Sequence, residues 1–177
     1  MGVPCLKCPL DLWIYQEILM DVRPDLVIET GTHRGGSALF LAHMLDLLGG
    51  GTVFTIDPMA LEGRPQHPRI HDGLGSSTDA GLIQALLRAR PAERRLVLFD
   101  ADHTQAHVAA ELALLAPYVS VGSYVIVEDT NINGHPTYPT FGPGPWEAVE
   151  DFLRTHPTFV PDRTRERFLM TFNPRGY

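Results

Sequence analysis

Lysine is almost missing from this chain: Lys7 is the only one in 177 residues, and arginine supplies the rest of the 14 basic side chains. Against 21 acidic residues the formal net charge is −7, which argues against a general nucleic-acid binder and points to a small ligand. Cysteine is scarce as well. Cys5 and Cys8 form a C-x-x-C beside Pro4 and Pro9, but no second pair exists to complete a zinc site. A thioredoxin-like redox pair would follow a strand rather than lie in an N-terminal tail, so both read as reduced thiols. No apolar run approaches the roughly 20 residues of a membrane span. Asp11, Gln16 and Glu17 interrupt the apolar residues that a signal peptide would need unbroken, and Leu6 breaks the myristoylation pattern that Gly2 could begin. The expectation is a cytoplasmic protein with no membrane partner.

What is present is the composition of one ordinary globular domain over residues 1–177, with 44% apolar and 20% charged residues. Its organising stretch is Leu26-Val-Ile-Glu-Thr-Gly-Thr-His-Arg-Gly-Gly-Ser37, read as strand, tight turn and helix. Gly31, Gly35 and Gly36 allow the sharp bend and bring backbone N–H groups and a helix N-terminus against a ligand. A dinucleotide fingerprint would need glycine at position 33, where a pyrophosphate approaches the backbone; His33 stands there instead. Glu29, at the strand end, would repel phosphate and attract a cation. S-adenosylmethionine, with an ammonium, a sulfonium and no phosphate, suits such a turn, and E-x-G-x-x-x-G resembles the first motif of class I methyltransferases.

An N-terminal helix is expected around Trp13, with Trp13, Ile14 and Ile18 on one apolar face. A second strand, Thr52–Asp57, ends in a carboxylate placed as α/β folds place the acid that binds ribose hydroxyls, and Asp57 takes that role. Residues 61–75 read as a loop with at most a short third strand near Arg69-Ile70. Ser76 or Ser77 either caps the next helix or contacts adenine. Two further buried strands end in acids: Arg94–Asp102 delivers Asp100 and Asp102, and Ser123–Asp129 delivers Glu128 and Asp129. Asp102, Glu128 and Asp129 should converge at one sheet edge. Clustered carboxylates repel one another, so a basic side chain or a hard cation such as magnesium, manganese or calcium is expected among them.

Glu29–Ser37, Asp100-Ala-Asp-His103, Val127–His135 and Gly142–Ala148 together resemble the cephalosporin hydroxylase-like family, over about Trp13 to Leu153. The resemblance implies an α/β class I methyltransferase fold: a Rossmann-like three-layer sandwich with a seven-stranded, mostly parallel sheet and an antiparallel last strand. It implies S-adenosylmethionine and Mg2+ as cofactors, with Asp102, Glu128 and Asp129 as metal ligands. The donor-binding candidates are Glu29, Gly31, His33, Gly35, Ser37, Asp57, Ser76 and Asp100. A more distant similarity to metal-dependent catechol O-methyltransferases matches Asp102-His103 but puts Gln105 where those enzymes carry a lysine base. The base must then be a histidine, a carboxylate or a cation-bound hydroxyl, and the catalytic candidates are His103, His135 and Asp102.

The expected activity is Mg-dependent O-methylation of a small sugar-, polyol- or catechol-like hydroxyl, as in natural-product tailoring. Three alternatives compete with it. A nicotinamide oxidoreductase is opposed by His33; an iron hydroxylase would want two histidines and a carboxylate, and no H-x-D or H-x-E occurs; a non-catalytic cofactor-binding partner would bind donor without transferring methyl. The Gly-, Pro- and Asn-rich connection 130–145, carrying His135, Tyr138 and Phe141, reads as a mobile cover over the acceptor or as a contact within a homo-oligomer.

Overall fold

A computed structural model describes residues 2–177. Helix α1 (Pro9–Val22) precedes β1 (Leu26–Thr30), α2 (Gly36–Leu48), β2 (Thr52–Asp57), β3 (Ile70–Leu74) and α3 (Ala80–Ala89). β4 (Arg95–Phe99), α4 (Gln105–Leu115), β5 (Val125–Val127) and α5 (Pro145–Thr155) follow. The strands form one parallel sheet in the order β3-β2-β1-β4-β5. The chain therefore reverses its direction of travel between β1 and β4, the switch point at which α/β sheets open a crevice for ligands. Register makes that crevice level: Thr30 lies opposite both Ile56 and Phe99, so Gly31, Asp57 and Asp100 leave the sheet side by side.

Strand alternation sorts the core into two faces. Val27, Val53, Leu96, Leu98 and Ile126 pack under α1 and α2 through Ile14, Tyr15, Ile18, Leu41 and Leu45. Leu26, Ile28, Ile56, Val97, Phe99 and Val127 face α3, α4 and α5 through Ile83, Leu86, Val108, Leu112, Leu115 and Val149. At about 1.5–3 kcal/mol for each fully buried large apolar side chain, this two-sided burial is the main favourable contribution to folding. Proline opens α1 and α5 at a position whose N–H would be unpaired anyway. α2 ends on Gly49 in the left-handed region, with Gly49 N–H bonded to Asp46 O and Gly50 N–H to Leu45 O.

Several sequence expectations need correcting. Trp13 is not on the buried face of α1; it is 54% exposed and its indole N–H bonds Glu17, while Ile14, Tyr15, Ile18 and Leu19 face the core. The cap of α3 is Asp79, which accepts from Gly81 N–H and Leu82 N–H, rather than Ser76 or Ser77. The sheet has five parallel strands among the described residues, not seven with an antiparallel last strand. The physical reason lies in residues 156–177. Prolines 157, 161 and 174 cannot donate to a ladder. Side chains capture backbone N–H groups along the segment: Phe172 N–H donates to buried Asp11 (2.8 Å), Asn173 N–H to Thr171 Oγ1 (3.0 Å) and Arg175 N–H to Glu166 (3.0 Å). Val127 N–H bonds Gly176 O, so this irregular segment supplies single hydrogen bonds to the edge of β5 where a strand would supply a ladder.

A surface cluster of His43, Asp46 and His67, whose ligand atoms lie within 4.8 Å of one another, ties α2 to the β2–β3 connection. Arg69 N–H donates to His67 Nδ1 (3.2 Å), which leaves the proton on Nε2 facing Asp46, and Arg69 Nε occupies the other Asp46 oxygen (2.6 Å). No described helix is long and apolar enough to cross a membrane.

Candidate active site

A cavity of about 490 Å³ opens at the C-terminal ends of β1, β2 and β4. Its walls are the glycine turn, Asp57–Met59, Ser76 and Ser77, Asp100–His103, His107, Asp129 and, from the N-terminal tail, Pro4–Lys7. The turn is shaped by what its glycines permit. Gly31 has φ +85°, and a Cβ there would lie 1.9 Å from Asp100 O, so β1 and β4 can diverge this closely only without a side chain. Gly35 N–H closes the turn onto Thr32 O (2.7 Å). His33, itself at φ +44°, lines the cavity and contributes its backbone N–H to Asp57 Oδ2 (2.8 Å).

Asp57 sits on the cavity wall. His33 N–H and Met59 N–H hold its two oxygens, and the Arg64 guanidinium lies 3.5 Å from Oδ2. Arg64 also bonds His33 O and Met59 O, so the 61–69 loop is folded back over the glycine turn. Ser37 and Ser76 line the cavity too. Gly35 and Glu29 do not. Glu29 is fully buried beneath the turn, accepting from Thr55 Oγ1 (2.7 Å), with Oε1 unpartnered. Burial holds its pKa above the ordinary carboxylate value although Lys7 pulls it down.

Beyond β4 and β5 the acids separate into two groups. Asp100, His103 and Asp129 offer ligand atoms that all lie within 4.8 Å of one another, with His103 Nε2 3.2 Å from Asp129 Oδ2 and 3.9 Å from Asp100 Oδ1. Asp129 has φ +53°, a left-handed conformation that aspartate tolerates better than most residues, and its N–H donates to buried Asn173 Oδ1 (3.1 Å). The other member expected at this edge, Glu128, is turned inward. Lys7 Nζ lies 2.6 Å from Glu128 Oε1 and also pairs with Asp100 Oδ2, with the lysine side chain only 2% exposed. Asp102 faces the cavity but stays outside the tight cluster, because Oδ1 accepts Thr104 N–H (2.8 Å) at the start of α4. That hydrogen bond holds its pKa below the usual range.

One ammonium serves three carboxylates here, Glu29 and Glu128 buried and Asp100 part-buried. Burial alone would depress the Lys7 pKa, but Glu128, Asp100 and Glu29 outweigh it and hold the ammonium charged. The acids are not fully compensated in return: burial raises the pKa of Asp100 and lifts that of Glu128 well above the ordinary value, despite Lys7. An excess of buried negative charge at converging oxygens is the condition that a hard divalent cation satisfies, so the residues present fit Mg2+.

His135 lies outside the cavity wall. Its ring stacks on Trp146 at 4.3 Å between centroids, and Nε2 bonds Glu147 Oε1 (3.0 Å). Glu147 also accepts from Asn133 Nδ2 (2.9 Å) and Gly144 N–H (2.7 Å), stapling the 130–145 connection to α5. Burial opposes ionisation of Glu147, but these hydrogen bonds prevail and hold its pKa at about 2. Because the folded-state pKa is depressed, the stabilisation is complete above the unfolded value of roughly 4.3 and disappears as pH falls toward about 2. Hydrogen-exchange protection of amides 133–144 should therefore be level above roughly pH 5 and decline below it. Glu147→Gln should remove that decline; a pH dependence surviving the substitution would place the staple elsewhere.

Sequence reasoning missed Lys7, Arg64 and His107. His107, in the first turn of α4, points at Ser77 Oγ (3.1 Å) and at fully buried Glu111 (3.4 Å), whose carboxylate raises the imidazole pKa. The H-x-x-x-E spacing was the available signal, since it puts both side chains on one helical face.

Comparison with known proteins places the chain in a family. Over residues 1–177 the chain matches the family described as Rhamnosyl O-methyltransferase/CmcI. It is 42% identical over 186 residues to the rhamnosyl O-methyltransferase of Mycobacterium tuberculosis (strain ATCC 25618 / H37Rv), covering 100% of this chain and 76% of that protein. Its fold is similar to apo CmcI-N160, with TM-score 0.72 and 21% identity over 99% of this chain and 72% of the other. It is also similar to the MycE methyltransferase of mycinamycin biosynthesis in complex with Mg, SAH and mycinamycin VI. There the TM-score is 0.59 and the identity 25%, over 73% of this chain and about a third (34%) of MycE. With an α/β class I methyltransferase fold and a family match along its whole length, the chain belongs to the rhamnosyl O-methyltransferase/CmcI family.

Proposed function

We propose that this protein transfers the methyl group of S-adenosylmethionine to a hydroxyl of a rhamnosyl or closely related sugar, with Mg2+ at the transfer site. The protein is an S-adenosylmethionine-dependent O-methyltransferase. The observation that carries the site assignment is the junction of two features. A glycine-turn cavity with the carboxylate of Asp57 on its wall meets the Asp100–His103–Asp129 cluster at the sheet's switch point.

In this reading the glycine turn and Ser37 hold the donor from one side, Asp57 accepts hydrogen bonds from its ribose hydroxyls, and Ser76 and Ser77 border the adenine end. Asp100 and Asp129 hold the cation, and when bound it supplies Lewis-acid polarisation and a template for the acceptor hydroxyl. His103 Nε2 takes the hydroxyl proton as oxygen attacks the methyl carbon, and Asp129 stabilises the imidazolium that results. The sulfonium is already a good leaving group, so the residues contribute chiefly alignment and charge compensation. The acceptor is a small molecule with adjacent oxygens.

Calorimetry should show tighter binding of S-adenosylmethionine and its demethylated product than of NAD, and Asp57→Ala should weaken donor binding by at least about tenfold, the loss of one charge-assisted hydrogen bond. Transfer of labelled methyl to rhamnosyl acceptors, abolished by a chelator and restored by Mg2+, tests the activity. Turnover indifferent to the chelator would sink the metal's role.

A further inference from the structure

The N-terminal segment is built into the transfer site. Gly36 opens α2 with no positive φ, so conformation alone does not require glycine there; a Cβ would, however, lie 2.1 Å from Pro4 O and 2.8 Å from the Cys5 Cα. The tail backbone is seated on the glycine turn at a distance only glycine permits. From that seat Lys7, the chain's sole lysine, reaches across the cavity to the far edge, where its ammonium contacts Asp100 and lies 2.6 Å from Glu128.

We propose that Lys7 is a positioning residue of this site: a built-in counter-cation that ties Asp100 at the transfer edge to buried Glu128 behind it and competes with the divalent cation for their charge. The proposal rests on the reading of the acid cluster as a cation site. Charge matching gives it a purpose. Asp100 and Glu128 carry two negative charges when ionised, and Lys7 offsets one of them before any divalent cation arrives. Without Lys7 the same carboxylates would hold the divalent cation more tightly than the transfer reaction requires, since a fixed positive charge within a few ångströms opposes a second one strongly in a partly buried site.

The test is Mn2+ binding, followed by the electron paramagnetic resonance of free Mn2+, on the full chain and two variants. Lys7→Met keeps the length of the side chain and removes its charge; it should bind Mn2+ at least tenfold more tightly. Gly36→Ala leaves the lysine intact but unseats Pro4 and Cys5, and should shift affinity in the same direction. Tighter binding is a signature that simple structural damage would not produce, because damage scatters ligands and weakens the site. If Lys7→Met does not fold, Gly36→Ala decides. Unchanged or weaker Mn2+ binding in a folded Lys7→Met variant, or in Gly36→Ala where that variant fails, would overturn the proposal while wild-type binding upholds the cation site. Failure of the wild-type protein to bind Mn2+ would overturn both.

Discussion

Asp129→Asn and Asp100→Asn should each slow methyl transfer by about 10²- to 10³-fold, the scale seen when a group stabilising developing charge is removed. Asp102→Asn should cost only about tenfold, the low end of the scale for an outlying partner of a metal site. The contrast follows from geometry. Asp100 and Asp129 oxygens converge with His103, whereas the Asp102 carboxylate is engaged by Thr104 N–H at the foot of α4. Amide substitution preserves shape but removes one negative charge from the cation's surroundings. Donor affinity, measured by calorimetry without metal, should change little, because Asp57 and the glycine turn carry that interaction. Equal losses in all three variants would mean that the cation is held differently, and a parallel collapse of donor affinity would point to general damage of the sheet edge.

The parts of this site visible in the sequence are those where local pattern and tertiary position coincide. β1, β4 and β5 are apolar runs buried on both faces, so their ends could be located, and with them the turn at Gly31 and the acids at 100–102 and 128–129. Which acids would converge could not be read from alternation. β4 stops at Phe99 and β5 at Val127, so Asp102 and Asp129 belong to loops whose direction is set by Thr104 N–H and by Asn173. Lys7 was invisible for a similar reason: its position depends on a tail seated 93 residues from Asp100, against a glycine whose steric purpose appears only in three dimensions. The expected sixth and seventh strands failed where prolines and Asp11 withdraw backbone groups from the ladder. In the 130–145 connection, glycines and prolines suggested mobility, but Glu147 gathers Asn133, His135 and Gly144 into one hydrogen-bonded unit, a long-range role for an apparently ordinary first-turn helix acid.

Gly31→Ala should abolish both halves of the site at once. The position has φ +85°, which alone costs an L-residue about 1–2 kcal/mol. Steric overlap costs more. The new Cβ would sit 1.9 Å from Asp100 O and 2.6 Å from Asp100 C, backbone atoms that cannot rotate away, so β1 and β4 must separate where they are hydrogen-bonded through Asp100 N–H and Thr30 O. Separation widens the donor turn and moves Asp100, the residue that links the cluster to Lys7. A destabilisation of about 3–5 kcal/mol is expected, the upper range for single substitutions with a defined steric cause. Donor binding and Mn2+ binding should both be lost in whatever fraction remains folded. Gly49→Ala is the matched control: its φ is +78°, but no atom lies within 4 Å of its Cβ position, so it should cost only the conformational 1–2 kcal/mol and leave both affinities intact. Thermal unfolding with calorimetric titration on the two variants separates the effects. Equal behaviour would show that close approach of β1 to Asp100 is not what keeps glycine at position 31.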